Sequence, residues 1–248
     1  MTVALVDERI DSAARSALEA LGYHTIAMPK CPRLSEAVAS HPDMLTLPVG
    51  DLLLTEGGYL SEAQDVFDEV AALVPRLKIK AITESLLPEY PSDCLLNALR
   101  VGDILFCRER SLSRDAIELA RMRGLNIINV NQGYPACTVL ALGKSHAITA
   151  DRGMARAMRK VGIGVLLIED GGIELPPHEY GFIGGASGVH GDKVYFIGDL
   201  FSHLCGQRIA DFCREAGFEP ISLGGGRLRD LGRIIFIDSD GDNKDGEK

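Results

Sequence analysis

The sequence predicts an α/β fold made of five copies of one unit, arranged as a five-fold pseudo-symmetric α/β-propeller. A glycine-containing turn recurs at a spacing of roughly 40–50 residues, which is typical of propellers, solenoids and other arrays. The five turns are Gly50-Asp51, Gly102-Asp103, Gly143-Lys144, Gly191-Asp192 and Gly232-Arg233. An apolar run follows each turn, and a helical segment and another apolar run follow most of them. Each unit is therefore expected to be a ββαβ unit.

The second strand of each unit is predicted from the short apolar run that directly follows the glycine turn. These runs are Leu52–Leu54, Ile104–Phe106, Ala147–Thr149, Val194–Ile197 and Ile234–Ile237. A third strand is expected wherever an apolar run comes straight after the end of a helix. Four such segments are Tyr23–Met28, Leu125–Val130, Ile163–Glu169 and Phe218–Leu223.

The helices are predicted from apolar residues at helical spacing and from the residues that end each helix. Segment 111–124 shows the pattern best, because Ser113 can cap the first turn and Gly124 can end the helix. Segments 12–21, 151–162 and 207–217 repeat it, each followed by or ending at a glycine. The helix at 61–74 is stopped by Pro75 instead.

The two ends of the chain are predicted to complete one unit. The chain begins with a strand, Val3–Val6, and a helix but no hairpin, and it ends with a hairpin, 227–237, that no helix follows. Joining the N- and C-terminal strands closes a ring and removes exposed sheet edges. The sequence therefore predicts a single domain over residues 1–238 and a disordered acidic tail over residues 239–248. A doubly wound sheet is the alternative, although it needs no strand-turn-strand before every helix.

Composition excludes several classes of function. The formal charge of −9 and the pI near 5.2 argue against a nucleic-acid partner, which needs clustered basic residues. No apolar run approaches the roughly 20 residues that span a bilayer, and the first residues do not form a signal peptide. A cytoplasmic protein without a membrane partner is expected. The sequence leaves the oligomeric state open.

No metal site and no cofactor are predicted. The six cysteines form no Cys-x-x-Cys pair or zinc-finger spacing, so in the cytoplasm most are expected to be reduced and buried. The glycine run 184–188 lacks the spacing of a phosphate-binding loop. Close backbone approach at a crowded axis is the preferred interpretation of that run, and anion binding by its amides is the alternative.

The candidate site lies where the first strand of each unit begins. In a ring these openings surround one central cavity, and convergent polar groups in a cavity indicate a ligand site. Turn chemistry explains the glycines and prolines there, but not the recurring polar side chains. These are His41, Asp43, Asp93, Asn97, Gln132, Tyr134, Ser187, Arg227 and Asp230. They predict a small polar or cationic ligand, and Arg227 or Arg229 is expected to hold a carboxylate on it.

Four of these openings also carry a family resemblance. Segments 41–44, 90–93, 132–134 and 180–188, together with the five-fold plan, resemble an uncharacterised bacterial branch of the pentein superfamily. This superfamily of α/β-propellers includes arginine deiminases, dimethylarginine hydrolases, amidinotransferases and the ribosome anti-association factor 6. The resemblance covers about residues 1–238.

The resemblance implies chemistry on guanidino or amidine C–N bonds, as a hydrolase or an amidinotransferase. Catalytic penteins attack the planar carbon with a cysteine thiolate, while a histidine moves protons and carboxylates hold the cationic head. Carried over to this chain, the catalytic residues would be Cys137, His41 and Asp43. The other polar residues at the unit openings would bind the ligand.

One departure from the family pattern keeps an alternative open. Catalytic relatives carry the nucleophile in the last unit, whereas the matching segment here, 224–232, contains neither cysteine nor histidine. Cys137 would have to act from another unit, or it is a buried strand cysteine. His41 could equally belong to a turn in which it and Asp43 cap the local backbone. The alternative function is a non-catalytic binding protein for a small ligand or a macromolecule.

Overall fold

The structure, a computed structural model, describes residues 1–239, so residues 240–248 of the predicted tail lie outside the described part. The strands are β1 Thr2–Asp7, β2 Tyr23–Met28, β3 Thr46–Val49, β4 Leu52–Glu56, β5 Lys78–Ile82, β6 Leu99–Val101, β7 Ile104–Cys107, β8 Asn126–Asn129, β9 Val139–Leu142, β10 His146–Thr149, β11 Gly164–Leu167, β12 Ile173–Glu174, β13 Ser187–His190, β14 Lys193–Phe196, β15 Glu219–Ser222, β16 Leu228–Arg229 and β17 Ile235–Asp238. The helices are α1 Ser12–Ala20, α2 Pro42–Leu45, α3 Gly57–Glu62, α4 Gln64–Leu73, α5 Arg114–Met122, α6 Pro135–Thr138, α7 Arg152–Lys160 and α8 Gly206–Glu215, with a 3-10 turn at Leu200–Ser202.

Five three-stranded sheets share one topology. Their strand orders are β17-β1-β2, β3-β4-β5, β6-β7-β8, β9-β10-β11 and β13-β14-β15. In each sheet the first two strands are antiparallel, and the third is parallel to the middle strand after a helical crossover. The predicted α/β class is confirmed. Each sheet is open and separate, and β12 and β16 form an additional two-stranded pair.

The sheet that joins the chain ends differs in one respect from the prediction. As expected, β17 pairs with β1, with Thr2 opposite Asp238 and Leu5 opposite Ile235. The predicted hairpin at 227–237 is wrong, because β16 pairs in parallel with β12 instead of with β17. The apolar side chains of β17 explain why it pairs with a different strand. Successive residues of β17 enter two different core clusters, so this strand needs a neighbour that is buried on both faces. β1 is such a neighbour.

Local capping also differs from the prediction at helix α5. Ser113 precedes the helix but makes no capping hydrogen bond to it. Instead, Glu84 accepts hydrogen bonds from the Ser113 hydroxyl and the Arg114 amide, both at 2.8 Å. The cap therefore comes from a side chain about thirty residues earlier in the chain, which a local pattern cannot show. Along residues 1–239, no helix is long and apolar enough to cross a membrane.

Candidate functional site

A cavity of about 180 Å³ lies among the first strands of all five sheets. Each of β3, β6, β9, β13 and β17 contributes lining residues. The cavity extends from Asp43, Ala136 and Arg233, which precede first strands, to Gly102 and Gly143, which lie in the turns after them. It therefore follows the direction of these strands.

Two short helices at equivalent places in their units carry two of the central side chains, Asp43 as the second residue of α2 and Cys137 as the third residue of α6. Helix α2 leads directly into β3 and helix α6 directly into β9, and each has a proline in its first turn, Pro42 or Pro135. Proline is tolerated there because the first amides of a helix have no intrahelical partner. As a result α2 carries Asp43 and α6 carries Cys137, and the two side chains are neighbours.

His41 is buried between two carboxylates. Its Nε2 lies 3.9 Å from Asp7 Oδ2, and its Nδ1 lies 3.9 Å from Asp230 Oδ1. Within the described residues neither ring nitrogen has a hydrogen-bond partner. Burial lowers the pKa of His41 to about 3, although the Asp7 carboxylate opposes this shift. The imidazole is therefore neutral at neutral pH.

Asp7 was not among the residues predicted from the sequence. It ends β1, and its two oxygens accept hydrogen bonds from Arg9 at 2.6 and 2.9 Å. Because this bidentate contact with Arg9 offsets the charge of the Asp7 carboxylate, Asp7 raises the pKa of His41 only a little. The feature of the sequence that could have identified Asp7 is an aspartate at the end of a buried strand.

Asp43 and Asp230 are buried carboxylates with raised pKa values. For Asp43 burial raises the pKa to about 6, opposed in part by the neighbouring Cys137 thiol and by Arg233. For Asp230 burial and then the charge of Asp43 raise the pKa to about 7. Asp230 accepts amide hydrogen bonds from Phe182 at 2.8 Å and Gly232 at 3.1 Å. Neither oxygen of Asp43 has a hydrogen bond of normal geometry to any of residues 1–239.

The Cys137 thiol is buried beside the cavity without lining it. Burial, followed by the charges of Asp43 and Asp230, raises its pKa well above the ordinary value. Asn97 donates a hydrogen bond to its Sγ at 3.1 Å and another to the Asp43 carbonyl at 3.2 Å. The Asn97 Oδ1 accepts from the Ala136 amide at 2.9 Å. Asn97 thus links α2 and α6 and places the thiol beside the carboxylate.

Glycines let the surrounding loops approach this cluster closely. A side chain on Gly185 would collide with the Asp230 carboxylate, and one on Gly184 would collide with the Ala136 carbonyl. A side chain on Gly232 would overlap His41. These contacts agree with close backbone approach as the reason for the glycine run at 184–188.

The other predicted site residues lie outside this cluster. The Tyr134 hydroxyl donates to Asp93 Oδ2 at 2.6 Å, and Gln132 Oε1 accepts from the Tyr134 amide at 3.1 Å. Ser187 donates to the Ile183 carbonyl at 2.7 Å. Arg227 is exposed, 3.9 Å from Glu174. None of the five lines the cavity.

The arginine that lines the cavity is not one of the two that the sequence suggested. Arg229 lies 3.9 Å from Asp11 and does not line the cavity, whereas Arg233, which was not predicted, does. Across the described residues no group of His, Cys, Asp and Glu side chains has the arrangement of a metal site.

Three solved structures have a similar fold. A mutant of DDAH from Pseudomonas aeruginosa, complexed with citrulline, is 11% identical with a TM-score of 0.56, covering 94% of this chain and 98% of that chain. The amidinotransferase SxtG of the saxitoxin pathway from Microseira wollei is 13% identical with a TM-score of 0.51, covering 93% and 94%. The inosamine-phosphate amidinotransferase of Streptomyces griseus is 13% identical with a TM-score of 0.51, covering 91% and 79%.

These likenesses define the class of the fold. A dimethylarginine hydrolase and two amidinotransferases share almost the whole chain's architecture, so the resemblance to the pentein superfamily is confirmed at the level of the fold. The sequence itself is more specific: a family model matches residues 5–235, and the chain belongs to this family of unknown function, DUF6873. No curated protein matches the chain significantly.

Proposed function

We propose that the chain acts on the C–N bond of a small guanidino or amidine compound, as a hydrolase or an amidinotransferase. The observation that carries the proposal is a buried thiol beside a carboxylate whose two oxygens have no hydrogen-bond partner among the described residues. Buried polar atoms are rarely left unpaired, so unpaired oxygens beside a cavity indicate a group that binds a ligand. A planar cation with several N–H donors would satisfy them.

In this proposal Asp43 binds the cationic head. A guanidinium presents two parallel N–H groups that match the two oxygens of a carboxylate. Asp43 lines the cavity and has both oxygens available for this contact. Asp230 does not line the cavity and its oxygens already accept hydrogen bonds from backbone amides, so its charge attracts the cation without a direct role in orientation.

The same cation would activate the thiol. The charges of Asp43 and Asp230 help to keep Cys137 protonated, and a cation bound beside them offsets that field and lowers the pKa of the thiol. The thiolate then attacks the planar carbon, a C–S bond forms, and the C–N bond breaks as the leaving amine takes a proton. Water or an acceptor amine attacks next, breaks the C–S bond and releases the product. Asp230, whose raised pKa of about 7 is near neutral pH and whose charge acts on Cys137, is suited to receive and return the protons, with His41 3.9 Å from it.

The proposal includes the arrangement of the five sheets as propeller blades around the cavity. Its support is that the first strand of every sheet lines one cavity and that one sheet combines both chain ends. Residues 1–238 then form a single domain. A cytoplasmic location would keep the six cysteines reduced.

Turnover of a panel of guanidino and amidine compounds tests the proposal. Release of amine or ammonia, and transfer of an amidino group to added amines, should be measured by mass spectrometry with wild type and with Cys137→Ser. Cys213→Ser is the matched control, because Cys213 is also buried but lies on α8 and packs in a different core cluster from Cys137. The expected result is turnover by wild type and by the control, with none by Cys137→Ser.

The non-catalytic alternative rests on the burial of the Cys137 thiol, which raises its pKa well above the ordinary value. Thermal-shift measurements with the same panel separate the two functions. A compound that stabilises wild type and Cys137→Ser equally, without turnover by either, would establish a binding protein instead of an enzyme.

A further inference from the structure

Arg233 combines a strained backbone with a guanidinium that faces the cavity. Among residues 1–239 it is the only residue other than glycine with a positive φ, 57°. Its backbone amide donates to the Gly185 carbonyl at 3.0 Å, which fixes the segment between Gly232 and β17. Glycine adopts this conformation without strain, so an arginine here requires a separate explanation. Strained residues that persist in folded proteins are concentrated at ligand sites.

Among residues 1–239 the Arg233 guanidinium also has no partner. It is half-buried and lines the cavity, yet it forms no salt bridge or hydrogen bond with any described residue. The charge of Arg233 lowers the pKa of Asp43, but no salt bridge joins the two side chains. A partly desolvated cation without a partner is unfavourable unless an anion binds to it.

The remaining lining residues define what kind of anion fits. Arg100 and Lys144 lie at the end of the cavity formed by the turns, so three cations face one acidic residue, Asp43. Between the two ends the walls are apolar, with Leu47, Leu96, Ala98, Ala141, Val189 and Ile235. The distance covered is about that of a four-residue strand, roughly 13 Å. Inorganic anions would leave these apolar walls without contacts.

We infer that this cavity binds a small organic carboxylate, with its anionic group on Arg233 and a short apolar body along the first strands. Arg100 and Lys144, at the opposite end that the turns form, raise the local concentration of anions near the cavity before the carboxylate reaches Arg233. This site goes beyond the proposed C–N chemistry, since it requires neither the thiol nor a cationic ligand.

Titration calorimetry with straight-chain carboxylates from acetate to octanoate, and with inorganic phosphate, tests the inference. Affinity should rise with chain length and fall again once the chain exceeds the cavity, and phosphate should bind more weakly than the best carboxylate. Arg233→Gly should reduce that affinity at least tenfold while raising the melting temperature, because it removes both the cation and the strain. Arg227→Gly is the matched control, since Arg227 is exposed and outside the cavity, and it should leave the affinity unchanged.

A second variant keeps the test informative if Arg233→Gly alters the local fold. Ala98→Met fills the cavity without changing its charge, and it should also weaken carboxylate binding tenfold. Carboxylate affinity within twofold of wild type in both variants would overturn the inference, as would equal binding of phosphate and all carboxylates. Cys137→Ser should retain carboxylate binding, so failure of this inference is distinguishable from failure of the proposed chemistry.

Discussion

Asn97 donates a hydrogen bond to the Cys137 thiol, with 3.1 Å between Nδ2 and Sγ. The same side chain accepts from the Ala136 amide and donates to the Asp43 carbonyl, so one buried amide joins two elements that are far apart in sequence. A carboxamide can do this because it is both donor and acceptor in one plane. The position of the thiol relative to Asp43 therefore depends on Asn97.

Replacing Asn97 should destabilise the protein and disturb the thiol. Asn97→Ala leaves the Ala136 amide buried without a partner, and we expect a loss of about 2 kcal/mol in the free energy of unfolding. Urea denaturation measures the loss. Asn131→Ala is the control, because Asn131 is exposed and should change stability by less than about 0.5 kcal/mol. Equal stability of the two variants would contradict the linking role.

The reactivity of Cys137 should depend on a bound cation. Its raised pKa predicts slow labelling by iodoacetamide at pH 7 in the free protein, which peptide mass spectrometry can follow at each cysteine. A guanidino compound that binds beside Asp43 should accelerate labelling of Cys137. If the compound shields the thiol from iodoacetamide, a smaller reagent should still show that the pH midpoint of Cys137 labelling is lower with the compound than without it. Rapid labelling at pH 7 without any ligand would contradict the raised pKa.

Buried carboxylates should make the protein less stable as pH rises. The pKa of Asp43 is about 6 in the folded protein and about 3.9 in the unfolded chain, so the folded state binds more protons between these values. Stability from this group is greatest below about pH 4 and decreases as pH rises through 6. Asp43→Asn should remove this dependence. The free energy of unfolding of the variant, relative to that of wild type, should therefore rise by about 2 kcal/mol as pH increases from 4 to 8.

Urea denaturation across that range isolates the Asp43 contribution when each variant is compared with wild type at the same pH. His41 acts in the opposite direction: its lowered pKa removes stability as pH falls below about 6.5. Asp65→Asn is the control because Asp65 is exposed on α4. A constant difference between Asp43→Asn and wild type from pH 4 to pH 8 would argue against the raised pKa.

The sequence predicted what local patterns determine. Four of the five glycine turns, the second strands that follow them and β2 follow from glycine placement and apolar runs, and β2 agrees with its predicted bounds, Tyr23–Met28. The apolar run after Gly232-Arg233 was predicted as a second strand, but it is β17, the first strand of its sheet. The prediction that the N- and C-terminal strands pair was correct. The predicted hairpin at 227–237 was wrong, because β17 pairs with β1, which comes from the other end of the chain. Glu84 could not be recognised as the cap of α5 for the same reason, since the contact is long-range.

The candidate site was predictable to a similar extent. His41, Asp43, Asn97, Cys137 and Asp230 form one buried cluster, because each lies just before a first strand. Asp93, Gln132, Tyr134 and Ser187 occupy the same phase of the repeat, but their side chains bond to neighbouring loops. A sequence shows at which position of the repeat a residue lies. The direction of its side chain, however, depends on partners from other units. Arg233 shows the limit, since its backbone conformation gives no signal in the sequence.

The sheet that joins the chain ends should be essential for stability, and one side chain offers a graded test of it. Asp238 on β17 accepts from the Thr2 hydroxyl at 2.6 Å and contacts His190 Nε2 at 3.1 Å. His190 Nδ1 in turn lies 3.0 Å from the Tyr23 hydroxyl, so the pair connects β17 and β2 to β13. Asp238→Ala should cost about 1–2 kcal/mol in unfolding free energy, because it leaves two partly buried partners unpaired.

Truncation extends the same argument to the whole strand. Removing residues 227–248 deletes β17 and exposes the edge and both faces of β1, so cooperative unfolding should be lost. Removing only residues 240–248 should shift the melting temperature little. Asp192→Ala, the control for Asp238→Ala at an exposed turn, should have the same melting temperature as wild type. Differential scanning calorimetry measures all four proteins. If the longer truncation melted like the shorter one, β17 would not be needed to complete the fold.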